Sequence, residues 1–143
     1  RRLEANEFLE HAEVHGNHYG TLKGPVIENL KNGIDVLLDI DTHGVDNIRA
    51  CGDPIILQAL ADVFIMPPAL DELRRRLLRR GTETAEQVEV RMSNAAREME
   101  CWRDYRYTIL NGSMEENIDK FRAIMRAERY LTCRMTAVNS TAA

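Results

Sequence analysis

The order of apolar and polar positions predicts short strands separated by helices. Residues Phe8–Val14 alternate in polarity, residues 15–17 supply a turn, and residues 18–21 begin a return strand, so this part predicts a β-hairpin. Three further strands are predicted, at residues 34–41, 59–66 and 107–110. The central apolar residues of Ile34–Asp41 do not alternate with polar ones, which is typical of a parallel strand buried on both faces.

Helical spacing fills the intervals between these strands. The predicted helices span residues 25–32, 45–50, 71–80, 84–103 and 113–135. Strands that alternate with helices predict an α/β fold with a parallel sheet. Ligands of such sheets bind beyond the carboxyl ends of the strands, where this assignment places Asp39, Asp41 and Asn111.

Composition narrows the class of protein. With 143 residues, 44% of them hydrophobic and 29% charged, the chain has the size and balance of one globular domain. A net charge of −4 argues against general nucleic-acid binding, and no apolar run is long enough to cross a membrane. Three scattered cysteines indicate free thiols in a reducing cytoplasm. The oligomeric state stays open, a homo-oligomer included.

Arginine is concentrated in one part of the chain. Of the 19 basic residues, 16 are Arg, and five of these lie between Arg74 and Arg80. Arg76 and Arg80 are one helical turn apart, and Arg91 lies in the next predicted helix. Three guanidiniums on a helical hairpin are suited to hold a phosphoryl group during transfer. The simpler interpretation, a solvated helix face, suits the other three arginines of the cluster better.

Polar residues near the first strands suggest a binding site. Asp39 and Asp41 lie on one face of the predicted strand, where they either hold Mg²⁺ through water or cap the following turn. Glu10, Tyr19 and Thr21 place a carboxylate, a phenol and a hydroxyl on neighbouring strands. A carboxylate can accept from N1–H and N2–H₂ of guanine, and a hydroxyl can donate to O6.

His11, His15 and His18 lie close together in the sequence but do not fit a zinc site. His11 and His15 are separated by about 13 Å along a strand, at ~3.3 Å per residue. One metal ion cannot bind both side chains at that separation.

Several segments, taken in order, resemble guanylate kinase, a nucleoside monophosphate kinase family. They run from about Phe8 to Glu128 and read FLEHAEVHGNHYGT, LLDIDTHG, FIMPP, LRRRLLRRGTET, VRMSNAAREM and YTILN. The resemblance implies a three-layer kinase-type core with a parallel sheet, an arginine-bearing helical lid and part of a guanylate-binding hairpin subdomain. The implied regions are a remnant of the GMP-binding subdomain at 1–22, core at 23–68, lid at 69–95 and core again at 96–143.

The resemblance also implies roles for individual residues in ATP-dependent phosphorylation of GMP with Mg²⁺. The residues implied to bind GMP are Glu10, Tyr19, Thr21 and Asp39. Those implied to act in phosphoryl transfer are Arg76, Arg80, Arg91 and Asp41, with Asp41 near the metal through water rather than as a direct ligand. Asn111 is implied to contact the adenine of ATP, and Arg76 its phosphates.

One element of the family pattern is absent from these 143 residues. They contain no G-x-x-x-x-G-K-S/T loop, which in this family follows an N-terminal strand and binds the donor phosphates. We therefore expect the 143 residues alone to be inactive and the enzyme to require an N-terminal portion. The alternative is a non-catalytic guanylate-kinase-like module that binds phosphorylated partners.

Overall fold

A computed structural model of the chain describes residues 7–14, 17–81 and 84–135. These residues form two compact units that divide between Leu60 and Ala61. The first unit contains β1 (Phe8–Val14), β2 (Asn17–Leu22), α1 (Lys23–Lys31), α2 (Thr42–Arg49) and α3 (Pro54–Ala59). The second contains β3 (Val63–Met66), α4 (Leu70–Arg80), α5 (Ala85–Glu98), a 3-10 helix (Met99–Asp104), β4 (Tyr107–Leu110), α6 (Met114–Arg129) and a 3-10 turn (Thr132–Arg134).

The first unit is built around the predicted hairpin, which the structure confirms. Strands β1 and β2 pair antiparallel, and two residues of the predicted turn, His15 and Gly16, lie outside the described residues. The core of this unit joins a residue of the hairpin to one residue from each of the three helices: Leu9, Val26, Ile48 and Ile56. Burial of these side chains holds the short elements together, because none of the three helices is long enough to be stable alone.

A β-bulge controls which side chains of the hairpin share a face. Phe8 pairs with Leu22, but Glu10 pairs with Thr21, so Leu9 is an extra residue in β1. Leu9 is buried in the core. The bulge places Phe8 on the face opposite Glu10, whereas in a regular strand the two side chains would share a face.

Gly20 lies at a position in β2 where there is no room for a side chain. A Cβ built there would lie 2.6 Å from the Glu10 carbonyl oxygen and 2.8 Å from Cδ1 of Phe8. Both separations are below van der Waals contact. The close approach of β1 and the Phe8 ring therefore requires glycine.

The prediction of a strand at residues 34–41 is wrong. Its side chains alternate between partly buried and exposed from residue 36 to residue 40, as in an extended chain, but it pairs with no strand in the described part of the chain. Val36, Leu38 and Ile40 pack against the core of the first unit, while Leu37 is 75% exposed. Apolar residues in an extended segment do not make a strand unless a neighbouring backbone supplies the hydrogen bonds.

Two helix starts depend on aspartates. Asp41 caps α2 by accepting from the Gly44 N–H at 2.8 Å, so α2 begins at Thr42, three residues before the predicted start. Helix α3 was not predicted, although Asp53 followed by Pro54 is a typical helix start. Because residues 54–59 are helical, the strand predicted at 59–66 is shorter than expected and comprises only β3.

The second unit contains the predicted parallel pairing. Strands β3 and β4 run parallel in a register from Val63–Tyr107 to Met66–Leu110. Helices accompany this pair, which confirms the predicted α/β class. Ile109 of β4 is buried.

Helices α4 and α5 form a helical hairpin. Leu77 of α4 and Val88 of α5 are buried. Gly81 ends α4 with φ of +65°, a conformation that glycine adopts without strain. Thr84 begins α5 with a capping box, in which its hydroxyl accepts from Gln87 N–H and the Gln87 side chain accepts from Thr84 N–H.

The last two helices are shorter than predicted. The α-helix predicted to reach Arg103 ends at Glu98 and continues as a 3-10 helix, and α6 ends at Arg129 rather than Met135. The polar and small residues of the segment 137–143 predict a frayed tail, and this prediction lies outside the described residues.

Glu128, near the end of α6, is buried and joins three parts of the second unit. Its Oε1 accepts a 2.6 Å hydrogen bond from the Tyr107 hydroxyl and lies 3.0 Å from Arg106 Nε, and its Oε2 lies 2.7 Å from Arg134 Nη2. This network fastens α6 to β4 and to the final turn.

Across the described ranges, no helix is long and apolar enough to cross a membrane.

Candidate functional site

Three of the residues predicted to bind GMP share one face of the β-hairpin. Glu10 lies opposite Thr21, and Ala12 lies opposite Tyr19, so the side chains of Glu10, Thr21 and Tyr19 project to the same side. The Thr21 hydroxyl donates a 2.6 Å hydrogen bond to Oε1 of Glu10. Tyr19 is 60% exposed. This face offers an ionisable carboxylate, a hydroxyl and a phenol to a ligand.

Asp39 and Asp41 are exposed on the outer side of the extended segment in the same unit. The alternating inward packing of Leu38 and Ile40 places the two carboxylates on one side. Oδ1 of Asp41 is occupied by the Gly44 cap described above. The capping role considered for this pair is therefore present for Asp41. Of the three polar residues predicted at strand ends, Asn111 follows a described strand and these two do not.

The predicted lid arginines lie on the α4–α5 hairpin of the second unit. Arg76 is in α4, Arg80 is the last residue of α4, and Arg91 is in α5. The Arg80 side chain lies outside what the structure describes. Arg74 ties the two helices together, with Nη1 and Nη2 at 2.6 and 2.7 Å from Oε1 and Oε2 of Glu89.

Glu72 organises the first turn of this hairpin and was missed in the sequence analysis. Its Oε1 accepts a 2.9 Å hydrogen bond from Arg76 Nε, and its Oε2 lies 3.0 Å from Arg75 Nη2. The hydrogen bond from Arg76, helped by the positive charge of Arg75, lowers the pKa of the Glu72 carboxyl. The spacing of four residues between Glu72 and Arg76 was the available signal.

Asn111 is held by backbone and side-chain contacts at the end of β4. Its N–H donates to the Met66 carbonyl at 2.8 Å, and its Oδ1 accepts from Asn117 Nδ2 at 2.5 Å. Asn117 also accepts from the Gly112 N–H at 2.9 Å, and Lys120 donates to the Leu110 carbonyl at 3.0 Å. Two residues of α6 therefore fix this strand end. Neither stood out in the sequence, because polar residues on a helix are usual.

The predicted site residues are thus divided between the two units. Glu10, Tyr19, Thr21, Asp39 and Asp41 belong to the first unit, and the remaining predicted residues belong to the second. Within residues 7–14, 17–81 and 84–135 there is no cluster of three or more His, Cys, Asp or Glu side chains that would hold a metal ion.

Comparison with known proteins relates the whole arrangement to one family. The family model described as guanylate kinase matches residues 1–128. A guanylate kinase of Novosphingobium aromaticivorans is 44% identical over 138 residues, which cover 96% of this chain and 61% of that protein. One of Deinococcus radiodurans is 42% identical over 129 residues, covering 90% of this chain and 52% of that protein.

A solved structure gives the same relationship. The crystal structure of guanylate kinase from Anaplasma phagocytophilum superimposes with a TM-score of 0.74 at 35% identity, covering 95% of this chain and 64% of that one. The chain therefore spans less than two thirds of the length of these relatives. The family match over residues 1–128, the relatives and the shared fold lead to one conclusion: the chain belongs to the guanylate kinase family.

Proposed function

We propose that the protein transfers the γ-phosphoryl group of ATP to GMP, forming ADP and GDP. The observation that carries the proposal is the pairing of Glu10 with Thr21 on one face of the hairpin, in a chain of the guanylate kinase family. A non-catalytic phosphopeptide module would need a basic pocket there, whereas this face presents a carboxylate.

Guanine recognition follows from the chemistry of this pair. The Glu10 carboxylate accepts from N1–H and N2–H₂ of guanine, and the Thr21 hydroxyl turns from Glu10 to donate to O6. Adenine presents an acceptor at N1, so it would face the carboxylate without a hydrogen bond. Tyr19, two residues from Thr21 on the same face, donates its phenol proton to the phosphate of GMP. Asp39 supports the guanine side of the site.

The arginine hairpin serves the phosphoryl group. Phosphoryl transfer requires positioning and neutralisation of charge on the oxygens of the transferred group, and little covalent chemistry from the protein. Arg76, Arg80 and Arg91 supply guanidiniums whose planar donors match phosphate oxygens. Their position on a helical hairpin allows them to approach the nucleotides by a movement of that hairpin.

ATP is the donor in this proposal, with Mg²⁺ as its companion ion. Asn111 contacts the adenine, and Arg76 contacts the phosphates. Mg²⁺ usually keeps several waters and binds phosphate oxygens with one or two carboxylates, which suits the exposed Asp41 better than a protein cage. When bound, it neutralises charge on the phosphates, and Asp41 would hold it through water.

We place this activity in the cytoplasm. The three cysteines, Cys51, Cys101 and Cys133, form no disulfide, which supports a reducing compartment.

The test is a nucleotide specificity assay on the natural protein. ATP and Mg²⁺ are supplied with GMP, AMP, CMP or UMP, and ADP and nucleoside diphosphate formation are measured by chromatography. We expect formation of GDP to exceed that of the other diphosphates by at least about a hundredfold, since unmatched polar groups in the site would reject other bases. Binding of a phosphopeptide without any turnover of GMP would instead support the non-catalytic module.

A further inference from the structure

The two arginine–glutamate contacts on the α4–α5 hairpin differ in geometry. Arg74 directs both terminal nitrogens at Glu89, so the forked end of its guanidinium is occupied. Arg76 contacts Glu72 through Nε, at 2.9 Å. The Glu72 and Arg76 side chains are 28% and 36% exposed, compared with 60% and 44% for Glu89 and Arg74. The Glu72 contact is therefore the better shielded of the two.

Contact through Nε has a specific consequence for a guanidinium. The group is planar, so a hydrogen bond at Nε fixes the plane and its direction while Nη1 and Nη2 stay outside that bond. Those two nitrogens form the edge that can bind two oxygens of a phosphate. An arginine held in this way has lost part of its rotational freedom before the phosphate arrives, which lowers the entropy cost of binding.

The Glu72 carboxylate is itself held in place. Its second oxygen is 3.0 Å from Arg75, whose side chain is 74% exposed and points to solvent. The pKa of Glu72 is lowered, so the carboxylate stays ionised at neutral pH. Arg75 thus anchors the anion, and the anion orients Arg76.

We propose that Glu72 is a positioning residue for phosphoryl transfer, which holds Arg76 by Nε so that its terminal nitrogens face the transferring group. This inference rests on the proposed function. It assigns to Glu72 an effect that passes through Arg76 and does not involve contact with either nucleotide.

The test is a double-mutant cycle in the natural protein, with kcat and KM measured for ATP and GMP. We expect Glu72→Ala to lower kcat about tenfold and to leave KM for GMP within about twofold, because a misdirected guanidinium weakens the transition state more than acceptor binding. Glu72→Gln retains an acceptor for Nε and should recover most of the loss. In an Arg76→Ala background, Glu72→Ala should change kcat less than about twofold.

Asp71→Ala is the matched control, because Asp71 is an exposed acid in the same helical turn. It should leave kcat within about twofold. A stabilising role alone would lower kcat equally with and without Arg76, and that result would overturn the inference. So would a Gln variant as impaired as the Ala variant. If the unmodified protein forms no GDP, the proposed function fails and the inference falls with it, whereas an active protein with independent effects of the two residues overturns the inference alone.

Discussion

Glu10 and Thr21 place a carboxylate and a hydroxyl 2.6 Å apart on the face that we propose for guanine. The Thr21 hydroxyl donates to the Glu10 carboxylate, so this group has a hydrogen-bond donor within the hairpin itself. In the proposed function, guanine would replace this one donor with two. We therefore expect the selectivity of the site to depend on the charge of Glu10 as well as on its position.

Glu10→Gln tests this dependence. An amide offers one acceptor oxygen and turns an NH₂ group toward the guanine donors. We expect discrimination between GMP and AMP, measured as the ratio of kcat/KM, to fall by roughly ten- to a hundredfold, the value of a hydrogen bond to a charged group at about 1.5–3 kcal/mol. Glu28→Gln, an exposed change on α1, is the control. Unchanged discrimination would remove Glu10 from the guanine site.

The buried Glu128 has a different task, which is structural. Removal of this carboxylate leaves Arg106, Arg134 and the Tyr107 hydroxyl without their shared partner. We expect Glu128→Ala to lower the free energy of unfolding by about 3 kcal/mol, as when one member of a buried ion pair is lost. Asp119→Asn breaks an exposed contact on the same helix and should cost less than about 0.5 kcal/mol in the same urea titration. Equal effects would show that the network contributes no more than a surface pair.

Tyr107 gives this network a dependence on pH. Its hydrogen bond to Glu128 raises the pKa of the phenol, so the protonated form is favoured in the folded state. The resulting stability is complete below the ordinary tyrosine pKa of about 10 and is lost as pH rises through the higher folded value. Urea titrations at neutral and strongly alkaline pH should show this loss, and Tyr107→Phe should reduce it. An alkaline loss of the same size in Tyr107→Phe would assign it to other groups.

At the scale of elements, capping boxes determine where the long helices begin. In α6, Ser113 Oγ accepts from the Glu116 N–H at 3.2 Å, and Glu116 Oε2 accepts from the Ser113 N–H at 2.9 Å. The Ser113 backbone and hydroxyl lower the pKa of Glu116. The stability from this carboxylate is thus present above the ordinary glutamate pKa and is lost as pH falls through the lower folded value.

Ser113→Ala should lower the free energy of unfolding by about 1 kcal/mol, the usual value of an N-cap. Ser93→Ala, in the middle of α5 and exposed, is the control and should change it by less than about 0.5 kcal/mol. Both are measured by urea denaturation at neutral pH. A cost for Ser113→Ala no larger than that of the control would mean that α6 depends on packing and not on its cap.

These elements also show which signals a sequence contains. The Thr84–Gln87 and Ser113–Glu116 boxes are local, so the residues that form them are also the residues that predict them. The extended segment 34–41 failed as a strand because pairing depends on a second backbone, which the apolar pattern does not specify. For the candidate site, the pairing register of the hairpin is enough to place Glu10 opposite Thr21. The contact of Asn117 with Asn111 depends instead on how α6 packs against β4, which the sequence pattern does not specify.

At the scale of the whole molecule, apolar surface remains exposed in both units. Leu37 in the first unit and Ile65, Leu110 and Met114 in the second are exposed, and only eight hydrophobic residues are buried among those that the structure describes. The 143 residues also contain no G-x-x-x-x-G-K-S/T loop. Both features bear on the stability and activity of a polypeptide that consists of these 143 residues alone.

We expect a polypeptide of these 143 residues to unfold at low urea concentration and to form no GDP from ATP and GMP. The first follows from limited burial and the second from the lack of a cradle for the donor phosphates. The measurements are a urea titration followed by circular dichroism and the nucleotide assay described above, with the natural protein as the positive control. Robust formation of GDP by the 143 residues would show that another group holds the donor.

Gly20 has a consequence for how alignments of this family are interpreted. Gly20 lies between Tyr19 and Thr21. If every homologue had glycine at this position, the alignment would suggest a role in nucleotide binding. The backbone oxygen of Glu10 would still lie 2.6 Å from a Cβ if position 8 evolved to a smaller residue, so no compensating substitution there can relieve the clash. We expect glycine at this position even in family members that do not bind guanine. There it would reflect the pairing of the two strands and not the binding of a ligand.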